Sequence, residues 1–284
     1  MTISGAISNA NSGMAAAQRR ADVVSNNIAN ALTPGYVRRE LSVSERVLAG
    51  TGAGVVVDGV TRVIDPALTR ERRIADGLAS RDQAIATAYA RFNASFGEPG
   101  DGFSLAGQYA ALESALRGLG ETPESIPQQA LTLDAAKSLA HTITRIADET
   151  QRTRQDADLA IANAVDRVNS ALKQIERLNA DIARAVASGR DASALEDQRK
   201  VLVDDIARLV PVREVARQGG TIDLITDEGV FLIAGTAREI EFTRSGVITA
   251  DLSYPGGLSG LAVNGINITP GGGGSQTIRQ GELA

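Results

Sequence analysis

The stretch that decides the fold is residues 3–31, which read ISGAISNANSGMAAAQRRADVVSNNIANA. Apolar side chains recur along it in alternating steps of four and three residues. This spacing predicts an α-helix with one apolar stripe, as in a left-handed coiled coil. One such helix cannot bury its stripe alone, so we expect it to pack against partner helices during assembly. The predicted assembly residues are Ile3, Ile7, Ala10, Met14, Ala17, Ala21, Val24 and Ile28.

A surface helix that packs on its own domain is the alternative explanation of this pattern. The strict spacing favours an assembly helix, as does the scarcity of charged residues before residue 38. The helix is expected to end near Ala31. Pro34 disfavours the helical conformation of the residue before it, and Gly35 supplies a turn.

Downstream of this helix the pattern changes first to strands and then to long helices. Residues 37–65 predict a β-hairpin with a long glycine-rich tip at Gly50, Gly52 and Gly54. Helical patterns follow over residues 66–96, 103–119, 128–186 and 195–209, and short β runs follow over 212–215, 221–226, 230–234, 239–242 and 247–252.

The predicted fold class is therefore mainly α with an added β domain. Its parts are an N-terminal coiled-coil helix, a β-hairpin, a long α-helical bundle and a β-rich domain. We divide the chain into an assembly helix and turn at 1–36, a hairpin and helical bundle at 37–210, and a β-rich outer domain at 211–284. The last of these is expected to be incomplete.

The longest helix carries two heptad segments separated by a polar stretch. The first consists of Leu133, Ala136, Ala140, Ile143 and Ala147. The second consists of Val165, Val168, Leu172, Ile175, Asn179, Ile182 and Val186. Asn179 is interpreted either as a polar residue that fixes the register of a coiled coil or as a solvated asparagine.

Composition excludes several classes of function. The net charge of −5 gives no electrostatic reason to expect a nucleic acid partner. The absence of cysteine excludes disulfides, thiol nucleophiles and cysteine metal sites. No apolar run approaches the ~20 residues that span a bilayer, and the N-terminus does not resemble a cleavable signal peptide. We therefore expect neither nucleic acid nor membrane as a partner.

The ionisable residues do not form the patterns that catalysis requires. The one histidine, His141, is interpreted as an ordinary helix residue, because metal sites and catalytic triads need several groups. Residues 50–54 are interpreted as turn glycines and not as a dinucleotide loop, because a strand pattern follows them. Asp204 and Asp205 are interpreted as solvated. We predict no catalytic residue, no cofactor and no metal site, and hence no enzyme.

One motif is specific. Residues 25–36 read SNNIANALTPGY, and this segment closely resembles the signature of the rod, hook and hook-associated proteins of the bacterial flagellum. Asn27 and Asn30 lie three residues apart, so their amides either join adjacent subunits or cap the helix end. The matching signature residues are Ser25, Asn26, Asn27, Ile28, Ala29, Asn30, Pro34, Gly35 and Tyr36.

Three further segments resemble the hook-associated protein 1 family within this group. They are residues 54–62 with Asp65 and Leu68, residues 178–182, and residues 195–212. The resemblance implies an extracellular structural subunit that joins hook to filament. Its partners would be hook protein, the adjacent hook-associated protein, further copies in a ring, and the type III export apparatus.

The resemblance also implies that the C-terminal helices of the family, and the export-chaperone site near them, are missing from this chain. Two alternatives remain open. The chain could be a distal rod or hook subunit, or it could be a secreted coiled-coil effector or adhesin, which would fold without a flagellar partner.

Overall fold

A computed structural model describes residues 3–48 and 50–284. Within them the chain folds into a mainly helical structure with a hairpin near its start and small sheets towards its end. The order of elements is helix, hairpin, four helices and seven short strands. The helices are α1 Ile3–Ala29, α2 Pro66–Phe96, α3 Leu105–Glu121, α4 Ile126–Ala187 and α5 Ser193–Leu209.

The strands form three antiparallel sheets. β1 (Arg39–Leu48) and β2 (Thr51–Arg62) make the hairpin. A four-stranded sheet and a three-stranded sheet follow α5, and each has its strands in sequence order. Their strands are β3 Val212–Ala216, β4 Ile222–Thr226, β5 Phe231–Ala234, β6 Thr236–Ala237, β7 Ile240–Glu241, β8 Ala262–Val263 and β9 Ile266–Asn267.

Capping residues set the starts of the predicted helices. The Asp65 side chain accepts hydrogen bonds from the backbone N–H groups of Ala67 and Leu68. Pro66 fits the first turn of α2 because a backbone N–H, which proline lacks, would have no partner within the helix at that position. The Ser125 hydroxyl accepts from the Gln128 N–H at the start of α4. The sequence therefore predicts these boundaries to within a few residues.

The long glycine-rich tip of the hairpin is a wrong prediction. The strands pair from Arg39–Arg62 out to Leu48–Thr51, so only residues 49 and 50 connect them, and Ala49 lies outside the described residues. Gly52 and Gly54 lie within β2. Gly54 serves packing and not the turn, because α1 crosses β2 so closely at this residue that a side chain would collide with Ser12.

Residues 247–252 form no strand, which is a second correction. Arg154 of α4 donates hydrogen bonds to the carbonyl oxygens of Thr249 and Leu252, so this segment lies as a loop against the helix. A strand pair forms instead at β8 and β9. Asn264 and Gly265 turn it with positive φ values of 48° and 75°. Asn-Gly is a strong hairpin signal that the sequence analysis missed.

The hydrophobic core lies between the second half of α4, α5 and the sheets. Of the second heptad segment, Val168, Leu172 and Ile175 are fully buried, and they share one core with Val203 of α5 and Leu224 of β4. The core therefore continues across residue 211, and the division of the chain into three domains stays a prediction. The first heptad segment differs, because Leu133 and Ile143 are more than half exposed in the described chain; Val186 is also exposed.

Asn179 satisfies neither of its two sequence interpretations. It is buried, its amide donates to the Ile222 carbonyl (2.8 Å), and its carbonyl accepts from the Ile222 N–H (3.2 Å) and from Arg199 (2.8 Å). Asn169 pairs in the same way with both backbone groups of Ile240, at 3.0 and 2.8 Å. Each primary amide thus bonds both the N–H and the carbonyl of one strand residue, as a neighbouring strand would. These bonds attach the sheets to α4.

Candidate assembly surface

Helix α1 has no buried residue along its described length. The eight predicted assembly residues all lie on its solvent-exposed side. Exposure is 82% for Ile3, 57% for Ile7, 68% for Met14, 49% for Val24 and 73% for Ile28, and the alanines at 10, 17 and 21 are exposed as well. The structure therefore leaves an uncovered apolar stripe, defined by these eight residues, along the whole helix. Met1 and Thr2 lie outside the described residues.

The opposite face of α1 lies on the hairpin. Its contacts there are small and polar: the Val55 N–H donates to the Ser12 hydroxyl at 3.1 Å, and the Asn9 amide donates to the Gly52 carbonyl at 3.4 Å. Gly54, whose φ is +100°, allows the close approach. The helix does pack on its own domain, as the alternative explanation held, but it uses a different face from the apolar stripe.

Asn27 of the signature motif joins α1 to β1. Its carbonyl oxygen accepts from the Arg39 N–H and from the Tyr36 hydroxyl, both at 2.9 Å, and its amide donates to the Arg39 carbonyl at 2.8 Å. Asn30 donates to the Asn26 carbonyl and accepts from Thr33. These intramolecular bonds favour the local role of the motif over a bond between subunits.

The Pro-Gly-Tyr turn lies against α5. Gly35 has φ of +83°, and a Cβ at this position would collide with the Val201 side chain. The Tyr36 ring lies 5.0 Å from the Arg39 guanidinium carbon, within range of a cation–π contact. The motif therefore ends α1, turns the chain on the surface of α5 and starts the hairpin.

Two ion-pair clusters that the sequence analysis missed connect the hairpin and α2 to α5. Asp197 binds Arg39 at 3.0 Å and Arg62 at 2.8 Å, and these two arginines face each other across the hairpin. Asp204 binds Arg73 at 2.7 Å. Sequence spacing gives no signal for either cluster, because the partners lie 131 to 158 residues apart along the chain.

The interpretation of Asp204 as solvated is wrong. Its side chain is 13% exposed and also binds Arg72 and Lys200, whereas Asp205 is 60% exposed. Burial by itself would raise the pKa of the Asp204 carboxyl. The hydrogen bonds from Lys200, Arg73 and Arg72 outweigh that effect, so its pKa lies below the ordinary value.

The described part of the chain has neither a cluster of metal ligands nor a membrane-spanning helix. Residues 3–48 and 50–284 contain no group of three or more histidine, cysteine, aspartate or glutamate side chains placed to hold a metal ion. None of the helices described is both long and apolar enough to cross a bilayer. His141 lies exposed on α4.

Comparison with known proteins decides the family. The family described as "Flagellar hook-associated protein FlgK helical domain" matches residues 89–278, which is more than half of the chain. The chain belongs to this FlgK family. A second family, "Flagella basal body rod protein", matches residues 7–36, the region of the apolar stripe and the signature motif.

Curated relatives agree with the FlgK assignment. The chain is 30% identical to flagellar hook-associated protein 1 of Salmonella typhimurium over 247 residues, which is 84% of this chain and 44% of that protein. It is 29% identical to hook-associated protein 1 of Escherichia coli over 250 residues, 84% of this chain and 45% of that protein. The chain thus spans less than half the length of these relatives.

A solved structure has the same fold. The flagellar hook junction protein FlgK from Burkholderia pseudomallei matches with a TM-score of 0.61 and 20% identity, over 75% of this chain and 37% of that one. This likeness confirms the predicted fold class, mainly α with an added β region.

Proposed function

We propose that this chain is a structural subunit of the bacterial flagellum that forms the junction between hook and filament. The observation that carries the proposal is the uncovered apolar stripe on α1. Polar contacts and Asn27 fix the other face of the helix to the hairpin, so the stripe is presented outward on a supported helix. Such a surface suits packing between helices and offers no chemistry for catalysis.

The proposed partners follow from the family. They are hook protein, the adjacent hook-associated protein and further copies of the chain in a ring. We further propose export through the type III apparatus and an extracellular location. The related structure from Burkholderia pseudomallei is that of a flagellar hook junction protein, which supports the junction position.

A distal rod or hook subunit is the second candidate, because the rod family matches residues 7–36. That match covers only the N-terminal helix and turn. The FlgK helical domain accounts for residues 89–278, which favours the junction. No observation in the structure favours a secreted effector or adhesin.

The test is the addition of purified chain to isolated hooks, counted in electron micrographs. We expect the unmodified chain to cap hook ends, and we expect the double variant Ile7→Gln/Met14→Gln to lose this binding. The matched control is Ser8→Gln/Asn11→Gln, which changes exposed positions next to the stripe on the same helix. If the stripe variant binds hooks as well as its control does, the stripe does not mediate hook binding. If no form of the chain binds hooks, the proposed position at the junction is wrong.

A further inference from the structure

A cavity of about 450 Å³ lies where the hairpin meets the rest of the molecule. It is bordered by the end of β2, the first turns of α2, α5, β3 and β4. Only two of its lining side chains, Glu196 and Glu214, are acidic. Six are basic: Arg62, Arg70, Arg73, Arg199, Lys200 and Arg213.

Half of the basic side chains have acidic partners. Arg62 binds Glu196 at 3.2 Å and also binds Asp197, which lies outside the cavity. Arg73 binds Glu214 at 2.7 Å. Both Arg73 and Lys200 bind Asp204, which likewise lies outside the lining. These carboxylates also bind Arg39 and Arg72, so they do not supply a full negative charge to each cation of the cavity.

The other three basic side chains have no carboxylate of residues 3–48 or 50–284 within ion-pair distance. Arg199 is only 7% exposed, and it donates to two neutral acceptors, the Asn179 side chain and the Gly220 carbonyl, both at 2.8 Å. The side chains of Arg70 and Arg213 are exposed at the cavity and make no hydrogen bond or ion pair with any residue in the described ranges. The cavity therefore holds an excess of positive charge.

Two further observations indicate that this excess lacks compensation. The Nη2 atom of Arg62 is buried and has no hydrogen-bond partner among the described residues. Burial also lowers the pKa of the Arg199 guanidinium, and the nearby Glu214 and Glu196 only partly offset this effect. A buried cation and an unpaired hydrogen-bond donor each cost free energy. An anion in the cavity would offset the charge of Arg199 and accept a hydrogen bond from Arg62.

We propose that this cavity binds an oxyanion, the carboxylate or phosphate group of a small ligand. Guanidinium groups pair with both groups through charge-assisted, often bidentate hydrogen bonds. The volume lies within the range of small-molecule sites. Because the lining residues come from both the hairpin and the body, an anion held there stabilises the joint between them. The proposal is independent of the position of the chain in the flagellum.

The test is isothermal titration of the full chain with sodium phosphate and, separately, with sodium citrate, at constant ionic strength. We expect saturable binding of one anion per chain. In Arg70→Gln/Arg213→Gln, which removes two exposed cations and so should leave the fold intact, we expect binding to weaken about tenfold or more. The control Arg19→Gln/Arg46→Gln removes the same charge from exposed side chains outside the cavity and should bind like the unmodified chain.

The outcomes separate the sources of the anion. Binding of phosphate alone would assign a phosphate ligand, and binding of citrate alone would assign a carboxylate. Two results would overturn the proposal: no saturable binding of either anion at millimolar concentration, or equal weakening in the two double variants, which would indicate attraction to net charge only.

Discussion

Replacing Asn27 with alanine removes three hydrogen bonds at one position, those with the Arg39 N–H, the Arg39 carbonyl and the Tyr36 hydroxyl. A hydrogen bond in a folded protein contributes about 0.5–1.5 kcal/mol. The site is half-buried, so water replaces part of what is lost. We therefore expect the variant to destabilise the attachment of α1 to β1 by about 2 kcal/mol.

Hydrogen exchange of the Arg39 amide measures this directly, because that N–H is one of the bonded groups. A loss of about 2 kcal/mol corresponds to exchange about 30-fold faster. The matched control is Asn30→Ala, whose bonds to Asn26 and Thr33 are exposed and local, and which should change the Arg39 amide little. Unchanged exchange in Asn27→Ala would refute the reasoning and return Asn27 to a role between subunits. So would an equal effect of Asn30→Ala.

Three further predictions concern stability. Gly35→Ala should lower the melting temperature more than Gly50→Ala: both positions have positive φ, at a cost of about 1–2 kcal/mol, but only Gly35 faces Val201. The pKa of Asp204 is lower in the folded than in the unfolded chain, so its ionised carboxylate stabilises the fold above the ordinary aspartate pKa. This stabilisation is lost as pH falls through the folded-state pKa. In Asp204→Asn, the free energy of unfolding should therefore depend less on pH across this acidic range. Burial raises the pKa of Glu228, whose buried Oε2 has no partner among the described residues, so Glu228→Gln should raise the midpoint of urea unfolding at neutral pH.

Periodicity and capping predicted most of the helices because these signals are local. Steps of three and four residues gave the second heptad segment on α4, and Val168, Leu172 and Ile175 are buried as expected. The same pattern gave the stripe on α1 but could not say whether another face of that helix packs on the chain. Gly54 shows why, since its role in the approach of α1 depends on a residue 42 positions earlier, Ser12.

The parts that the sequence did not predict depend on contacts between distant segments. Asp197 and Asp204 bind arginines from β1, β2 and α2, and no local pattern distinguishes a buried aspartate from a solvated one. The heptad position of Asn179 is evident from the sequence and is typical of a coiled-coil residue. Its actual partner, the backbone of Ile222, lies 43 residues away and has no local signal. The Asn264-Gly265 turn is different, because Asn-Gly is a local hairpin signal that does not depend on distant contacts.

The central claim is that the apolar stripe on α1 becomes buried on assembly, and the absence of cysteine allows a direct measurement. A Met14→Cys variant carries one thiol on the stripe, and a Ser253→Cys variant carries one on an exposed loop of the body. Maleimide labelling is compared for the free chain and for the chain bound to hooks. The account predicts that Met14→Cys reacts freely alone and is protected when bound, while Ser253→Cys reacts in both states. Equal reactivity of Met14→Cys in the free and bound states would contradict it.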